Sequence, residues 1–299
     1  MENMVNRNIL VTGGNGFIGS HLVAELQKDN EVVFFPFGRD EDIKSYSKVL
    51  NLVTRYEVDF IFHLAAQTIV GTAYHNPLET LATNIMGTAN ILEAARHYPK
   101  IKGVLVASSD KAYGKMRDKY TEDNSLKGDH PYDVSKSCAD LIAQTYYNTY
   151  QLPVVITRSA NTYGAGDIHF NRLIPGIFKA IIKNETLKIR SDGTFTRDYI
   201  YVKDVVDADI ALMENMMKTR GEAFNLSSGD HYSVLELVEK IGEILGKEAK
   251  CEILNTAKNE IPFQSLSCEK IKKAIGWQAK YSLEKAIPET FNWYLDYLK

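Results

Sequence analysis

A glycine-rich turn near the start of the chain restricts its fold more than any other feature. Thr12-Gly13-Gly14-Asn15-Gly16-Phe17-Ile18-Gly19 follows an apolar run at 9–12 and opens a helical stretch at 16–28. Small residues at this spacing let the backbone turn sharply and approach a pyrophosphate, whose charge is met by the N-terminus of the next helix. Gly13, Asn15, Gly16, Phe17, Ile18 and Gly19 are therefore candidate cofactor-binding residues. The competing reading is an ordinary strand-to-helix turn, which the flanking strand and helix disfavour.

The same rhythm continues downstream. Short β-branched runs predict strands over 9–12, 31–35, 60–64, 103–107 and 154–157, with amphipathic helices between them over 16–28, 43–55, 78–97 and 131–150. That alternation is the pattern of a doubly wound α/β chain, a parallel sheet covered on both faces. After Arg158 it breaks into loops around Gly164-Ala165-Gly166 and Ser191-Asp192-Gly193, with helices over 172–183, 205–217, 234–245 and 283–298. A smaller α/β substrate-binding lobe is expected there. The expected division is 1–165 for dinucleotide binding and 166–299 for the second lobe, with parts of 198–226 returning to the first. Aromatic residues at helical spacing, Phe291, Trp293, Tyr294 and Tyr297, are expected to pack.

Composition narrows the class of partner. With 299 residues, 44% hydrophobic and 24% charged, and a net charge of -3, the chain reads as globular, with no electrostatic call for nucleic acid or a membrane surface. A small molecule is the expected partner. The segment 1–8 is short and polar, so a cytoplasmic protein is expected. Cys138, Cys251 and Cys268 lack paired spacing and are expected to be reduced packing residues; the seven histidines likewise predict no metal.

The chemistry concentrates in two segments, Ser108-Ser109-Asp110-Lys111 and Tyr132-Asp133-Val134-Ser135-Lys136. A tyrosine and a lysine four residues apart, just after Pro131, share one face of a helix that starts at the proline. The ammonium of Lys136 then favours the Tyr132 phenolate, and an oxidised nicotinamide would add a second positive charge, so Tyr132 is a candidate base for oxidising an alcohol. Asp110 and Lys111 add an acid and a cation, against a solvated turn as the competing reading. At the end of the second strand, where an acidic residue would hold both ribose hydroxyls, none occurs at 35–37. Arg39 follows instead, and a guanidinium there pairs with a 2′-phosphate, which favours NADP over NAD unless the arginine is merely exposed.

The glycine loop, His63-Leu64-Ala65-Ala66, the serine before Tyr-x-x-x-Lys and Arg197-Asp198-Tyr199 together resemble the extended short-chain dehydrogenase/reductases of the NAD-dependent epimerase/dehydratase family. The resemblance covers nearly the whole chain and implies a Rossmann sheet. Several stretches are most similar to CDP-glucose 4,6-dehydratases: His63-Leu64-Ala65-Ala66-Gln67, Thr83-Asn84-Ile85-Met86-Gly87-Thr88, Ser109-Asp110-Lys111, Gly166-Asp167 with Arg172-Leu173-Ile174-Pro175, and Glu260-Ile261-Pro262. One departure is the short connection at 36–42, which is similar to that of GDP-fucose synthases, users of NADP.

The resemblance implies roles. Tyr132 takes the proton of the sugar 4-hydroxyl, Ser109 hydrogen-bonds that hydroxyl, and Lys136 holds the nicotinamide ribose. Asp42 and Ile43 read adenine, although a helix cap competes for Asp42, and Leu64, Ala65, Ala66, Asn84 and Ser108 line the cofactor. Asn161 meets the sugar or its phosphate, Arg197 clamps the diphosphate, and Arg172 and Arg190 are further phosphate or base contacts. Gln67 and Thr68 lie beyond a strand end, where such sheets bind ligands. Related dTDP-glucose enzymes carry Asp-Glu where this chain has Asp110-Lys111. Oxidation at C4 acidifies the C5 proton; water then leaves across C5 and C6 with Asp110 as acid and Lys111 as base or enolate stabiliser. A 4-epimerase or 4-keto reductase is the alternative. The helices at 78–97 and 131–150 are apolar beyond one face, and relatives pair them in a four-helix bundle, so a homodimer is expected.

Overall fold

The computed structural model describes residues 4–34, 43–116, 118–256 and 261–299. Its first half unrolls as β1 (Asn8–Thr12), α1 (Phe17–Leu26), β2 (Glu31–Phe34), α2 (Tyr46–Arg55) and β3 (Phe60–His63). Then come α3 (Val70–His75), α4 (Pro77–Leu81), a π turn at Ala82–Met86, α5 (Gly87–His97), β4 (Gly103–Ala107), a 3-10 turn at Asp110–Tyr113, α6 (Pro131–Tyr150) and β5 (Val154–Ser159). After β5 follow β6 (Asn161–Tyr163), α7 (Leu173–Lys183), β7 (Leu187–Ile189), β8 (Thr196–Tyr201), α8 (Val202–Glu214), α9 (Met216–Thr219) and β9 (Ala223–Leu226). The chain ends with β10 (His231–Ser233), α10 (Val234–Leu245), β11 (Cys251–Ile253), β12 (Phe263–Gln264), α11 (Glu269–Ile275) and α12 (Leu283–Tyr297).

Strands β2-β1-β3-β4-β5-β9 form one sheet in that order, every pair parallel. The doubly wound α/β reading therefore holds. Side chains alternate across a strand, so Ile9, Val11, Phe60 and Phe62 face one core with Leu22 and Leu212, while Leu10, Ile61 and Val104 face the other with Val53 and Ile91. Both faces are dry, which is why these strands read as unbroken apolar runs. Strand order reverses between β1 and β3, and ligands of such sheets bind in the crevice beyond the carboxyl ends at that switch point. The second lobe is built on β8, which pairs with β10, β12 and β6, and its core joins Phe178, Leu237, Ile287 and Tyr294.

Several expectations shift. The single helix expected over 78–97 is instead α4, the π turn and α5, with α4 started by Pro77 and by the Asn76 side chain accepting from Glu79 N. A π turn accommodates one extra residue, and here it carries Asn84 inward to a buried position. The helix expected over 205–217 begins at Val202, stops at Glu214 and resumes as α9. Strands β6, β8 and β9 fall where no strand had been expected. Cys251 lies exposed on β11, so it is not a packing residue, whereas Cys138 and Cys268 are half-buried; all three are free thiols. Phe291 and Tyr294 are buried, while Tyr297 is half exposed and stacks on Trp293 at 4.9 Å.

Candidate active site

The glycine loop is closed on itself and on the end of β3. Gly13 adopts φ +75, and a Cβ there would stand 2.8 Å from the Ala65 backbone nitrogen. At Gly19 a Cβ would fall 2.0 Å from the Gly13 carbonyl oxygen, so a side chain at either position displaces backbone. The Gly16 N–H donates to the Gly13 carbonyl at 2.9 Å, and α1 starts without a side-chain cap, leaving its first N–H groups for an anion. Leu64 and Ala65 border the loop through Thr12, whose carbonyl accepts from Leu64 N at 3.1 Å and whose hydroxyl accepts from Ala65 N at 3.2 Å. At the end of β4 the buried Ser108 hydroxyl has no partner among the described residues, a polar atom left for a ligand in the same crevice. These residues fit a dinucleotide. Ile43 packs against Gly87, whereas Arg39 and Asp42 lie outside the described residues.

A buried polar chain ties this loop to helix α6. Thr88 donates its hydroxyl hydrogen to the Asn84 carbonyl at 2.6 Å, so it accepts from His63 Nε2 at 3.0 Å. His63 Nδ1 then accepts from the Thr12 hydroxyl at 2.7 Å. Burial, with the Lys136 charge adding to it, lowers the His63 pKa to about 3, which fixes the neutral ring. From Asn84 the chain runs through its side-chain amide to Ser135 Oγ at 2.8 Å, and Ser135 donates to the Tyr132 carbonyl at 2.7 Å. Asn84 also accepts from Gln67 N at 2.8 Å and donates to the Gln67 carbonyl at 3.0 Å. The Gln67 amide itself donates to Thr80 at 2.9 Å and to the Ile69 carbonyl at 3.1 Å, while its oxygen accepts from Ile69 N. Gln67 and Asn84 thus hold the loop between β3 and α3.

Helix α6 begins at Pro131, capped by His130 Nδ1 accepting from Tyr132 N at 3.3 Å. Tyr132 and Lys136 are both buried on its face toward β4 and the Ser109 turn. Lys136 Nζ donates to the Ala107 carbonyl at 2.7 Å, and burial lowers its pKa to about 8. Tyr132 departs from expectation: burial, reinforced by the Asp110 charge, pushes its pKa up to about 12 despite a hydrogen bond with Ser109. The ammonium is directed to a carbonyl, and the desolvated phenol keeps its proton until further positive charge arrives.

Asp110 and Lys111 are no solvated turn. The Asp110 carboxylate is 1% exposed; Oδ1 accepts from Ser109 Oγ at 3.0 Å and Lys111 Nζ at 3.2 Å, and Oδ2 accepts from Gln264 Nε2 at 3.3 Å. Lys111 Nζ also donates to Asn161 Oδ1 at 3.1 Å, and Asn161 Nδ2 donates to the Asp198 carbonyl at 3.2 Å. Asp133 joins the cluster electrostatically: burial raises its pKa to about 6, with Lys111 opposing and Asp110 adding to the rise. Arg172 bridges Asp167 at 3.0 Å and Thr68 at 3.4 Å, close enough to Tyr132 for its charge to favour the phenolate. Arg197 reaches the Thr196 carbonyl at 2.9 Å and lies over the Phe195 ring, while the neighbouring Asp198 turns inward to Ser227 and Leu266 N at 2.9 and 2.7 Å. Arg190 is exposed just past β7.

Sequence reasoning assigned no task to His63, Asp133 or Gln264. His63 and Asp133 stood inside quoted motifs, yet nothing marked Gln264, which comes from a two-residue strand. The assembled site holds a tyrosine for an alcohol proton and, beside it, a carboxyl and ammonium pair able to move further protons.

A sequence-family model described as the NAD dependent epimerase/dehydratase family matches residues 9–227. The chain is 33% identical to the low-salt glycan biosynthesis protein Agl12 of Haloferax volcanii, over 96% of this chain and 98% of that protein. Among solved structures it resembles UDP-glucose 4-epimerase of Thermotoga maritima, with TM-score 0.90 and 28% identity over 98% of this chain and 100% of that one. It also resembles dTDP-glucose 4,6-dehydratase of Bacillus anthracis in complex with NAD, with TM-score 0.87 and 29% identity over 97% of each chain.

Proposed function

The chain belongs to the NAD-dependent epimerase/dehydratase family, and on that footing we propose that it is a nucleotide-sugar 4,6-dehydratase with a CDP-glucose-like substrate. The observation that carries this reading is the Asp110–Lys111 pair, a buried carboxylate joined at 3.2 Å to a half-buried ammonium and set beside Tyr132. A nicotinamide dinucleotide bound in the glycine cradle would supply reversible hydride transfer and the positive charge that draws off the Tyr132 proton. Tyr132 accepts the proton of the sugar 4-hydroxyl, Ser109 orients that hydroxyl, and Lys136 holds the ribose. With a carbonyl at C4 the C5–H bond is acidic; Lys111 passes a proton to its Asp110 partner, takes the C5 proton as base, and as the resulting ammonium steadies the enolate. Asp110 gives its proton to the C6 hydroxyl as the C6–O bond breaks, leaving a C5–C6 double bond and one water. Reduction at C6 would use the hydride that the bound dinucleotide supplies, and Lys111 returns the proton to C5.

Arg197 and Asn161 serve the diphosphate and sugar in this reading, with Arg172, Arg190 and Thr68 as further contacts. Arg39 favours NADP over the NAD of the Bacillus anthracis relative. Leu78, Met86 and Leu141 are exposed at 77, 55 and 51% on α4, the π turn and α6, which supports pairing of these helices in a homodimer. A monomer by light scattering at micromolar concentration removes that part.

The second reading, a 4-epimerase or 4-keto reductase, rests on the Thermotoga maritima likeness and uses the same Tyr132 pair. It leaves Asp110 and Lys111 without a task. Incubation with CDP-, GDP-, dTDP- and UDP-hexoses should yield a 4-keto-6-deoxy sugar from at least one. Inversion at C4 without loss of water refutes the dehydratase.

A further inference from the structure

Gln264 reaches Asp110 from a separate part of the chain. It lies on β12, paired in parallel with β8 opposite Arg197, and its side chain is 1% exposed. The segment around it is fixed on two sides. Tyr120 N donates to the Ser265 carbonyl at 2.7 Å, Ser267 N to the Tyr120 carbonyl at 2.8 Å, and the Tyr120 hydroxyl to the Phe263 carbonyl at 2.9 Å. On the other side Leu266 N donates to Asp198 Oδ2 at 2.7 Å. Gln264 is therefore a side chain on a rigid mount, and it donates to a buried carboxylate.

The distribution of donors on Asp110 is uneven. Among the described residues Oδ1 receives two, from Ser109 and Lys111, which fills both of its lone pairs, and Oδ2 receives only Gln264. The open lone pair is on Oδ2, so a proton carried by Asp110 sits there, beside the Gln264 amide. Resting on the dehydratase reading, we propose that Gln264 is a positioning residue that holds Asp110 so that Oδ2 faces the departing C6 oxygen, and that meets the carboxylate formed as the proton leaves. An amide N–H suits this task because it donates to the carboxylate and cannot itself take the proton.

The test compares Gln264→Met in the wild-type and Asp110→Asn backgrounds, using steady-state dehydration of whichever nucleotide-hexose the wild type accepts. Losing one charge-assisted hydrogen bond in a dry site should lower kcat about tenfold, with KM changed less than about twofold and the melting temperature retained. In the Asp110→Asn background the same change should have little further effect, since the proton that Gln264 helps to release is already gone. Gln264→Asn, which keeps the amide but falls one methylene short, reads the same step if the Met variant is unstable. Equal losses in both backgrounds, or a loss confined to KM, overturn the proposal by assigning Gln264 to structure or binding. If the wild type dehydrates and Gln264→Met is as fast, Gln264 alone loses its role; if the wild type only inverts C4, the dehydratase reading falls and this inference with it.

Discussion

Asp133→Asn should stabilise the protein at neutral pH while leaving it unchanged in acid. Asp133 follows Tyr132 on the first turn of α6 and is buried; its pKa rises from 3.8 to about 6, chiefly through burial, with Asp110 and Asp129 adding to the rise and Lys111 and Lys115 opposing it. Between those two values the folded chain keeps a proton that the unfolded chain has lost, so folding stability declines as pH rises through that window. Above pH 6 the penalty is complete. About two pH units at about 1.4 kcal/mol each give a ceiling of about 3 kcal/mol. The asparagine has the same shape without the charge and should recover about 1–3 kcal/mol at pH 8, falling toward nothing near pH 4. Urea unfolding of both proteins at several pH values measures the difference directly. A gain of the same size at every pH, or a loss at pH 8, refutes the claim that buried charge is the cause.

Arg158 forms a bidentate pair with Asp140 at 2.8 and 3.0 Å beneath α6 and also reaches the Tyr113 hydroxyl at 2.8 Å, so Asp140→Ala leaves a buried guanidinium unpaired. It should lower stability by about 3–5 kcal/mol in denaturant unfolding, and a loss under 1 kcal/mol contradicts it. Gly13→Ala puts a Cβ 2.8 Å from Ala65 N, so dinucleotide affinity in a fluorescence titration should drop at least about tenfold; wild-type affinity would show that the loop yields. Lys111→Ala should abolish dehydration and keep dinucleotide binding, whereas unchanged turnover would make Lys111 a turn residue.

Strands β1, β3, β4 and β5 were legible because each is a short apolar run buried on both faces, and the helices between them follow from amphipathic spacing. The shared helix face of Tyr132 and Lys136 was legible for the same reason, since a separation of four residues is a local property. The electrostatics of that pair was not. It depends on the Ala107 carbonyl, which captures the ammonium, and on the depth to which the tyrosine is buried. The π turn escaped because Asn84 turns inward to partners on the β3–α3 loop and on α6. Gln264 lies 154 positions from Asp110, and no local pattern in Pro262-Phe263-Gln264 marks such a contact. Strand β9 is a four-residue run that enters the sheet only after the chain has built much of the second lobe.

Loss of water separates the proposed reaction from its rivals, and it can be weighed. The accepted nucleotide-hexose is incubated with the wild-type protein and cofactor, and the product is measured by mass spectrometry. A product lighter by one water, with a carbonyl at C4 and a methyl group at C6, is the predicted result. A product of unchanged mass with C4 inverted would contradict it and return Asp110 and Lys111 to a structural role.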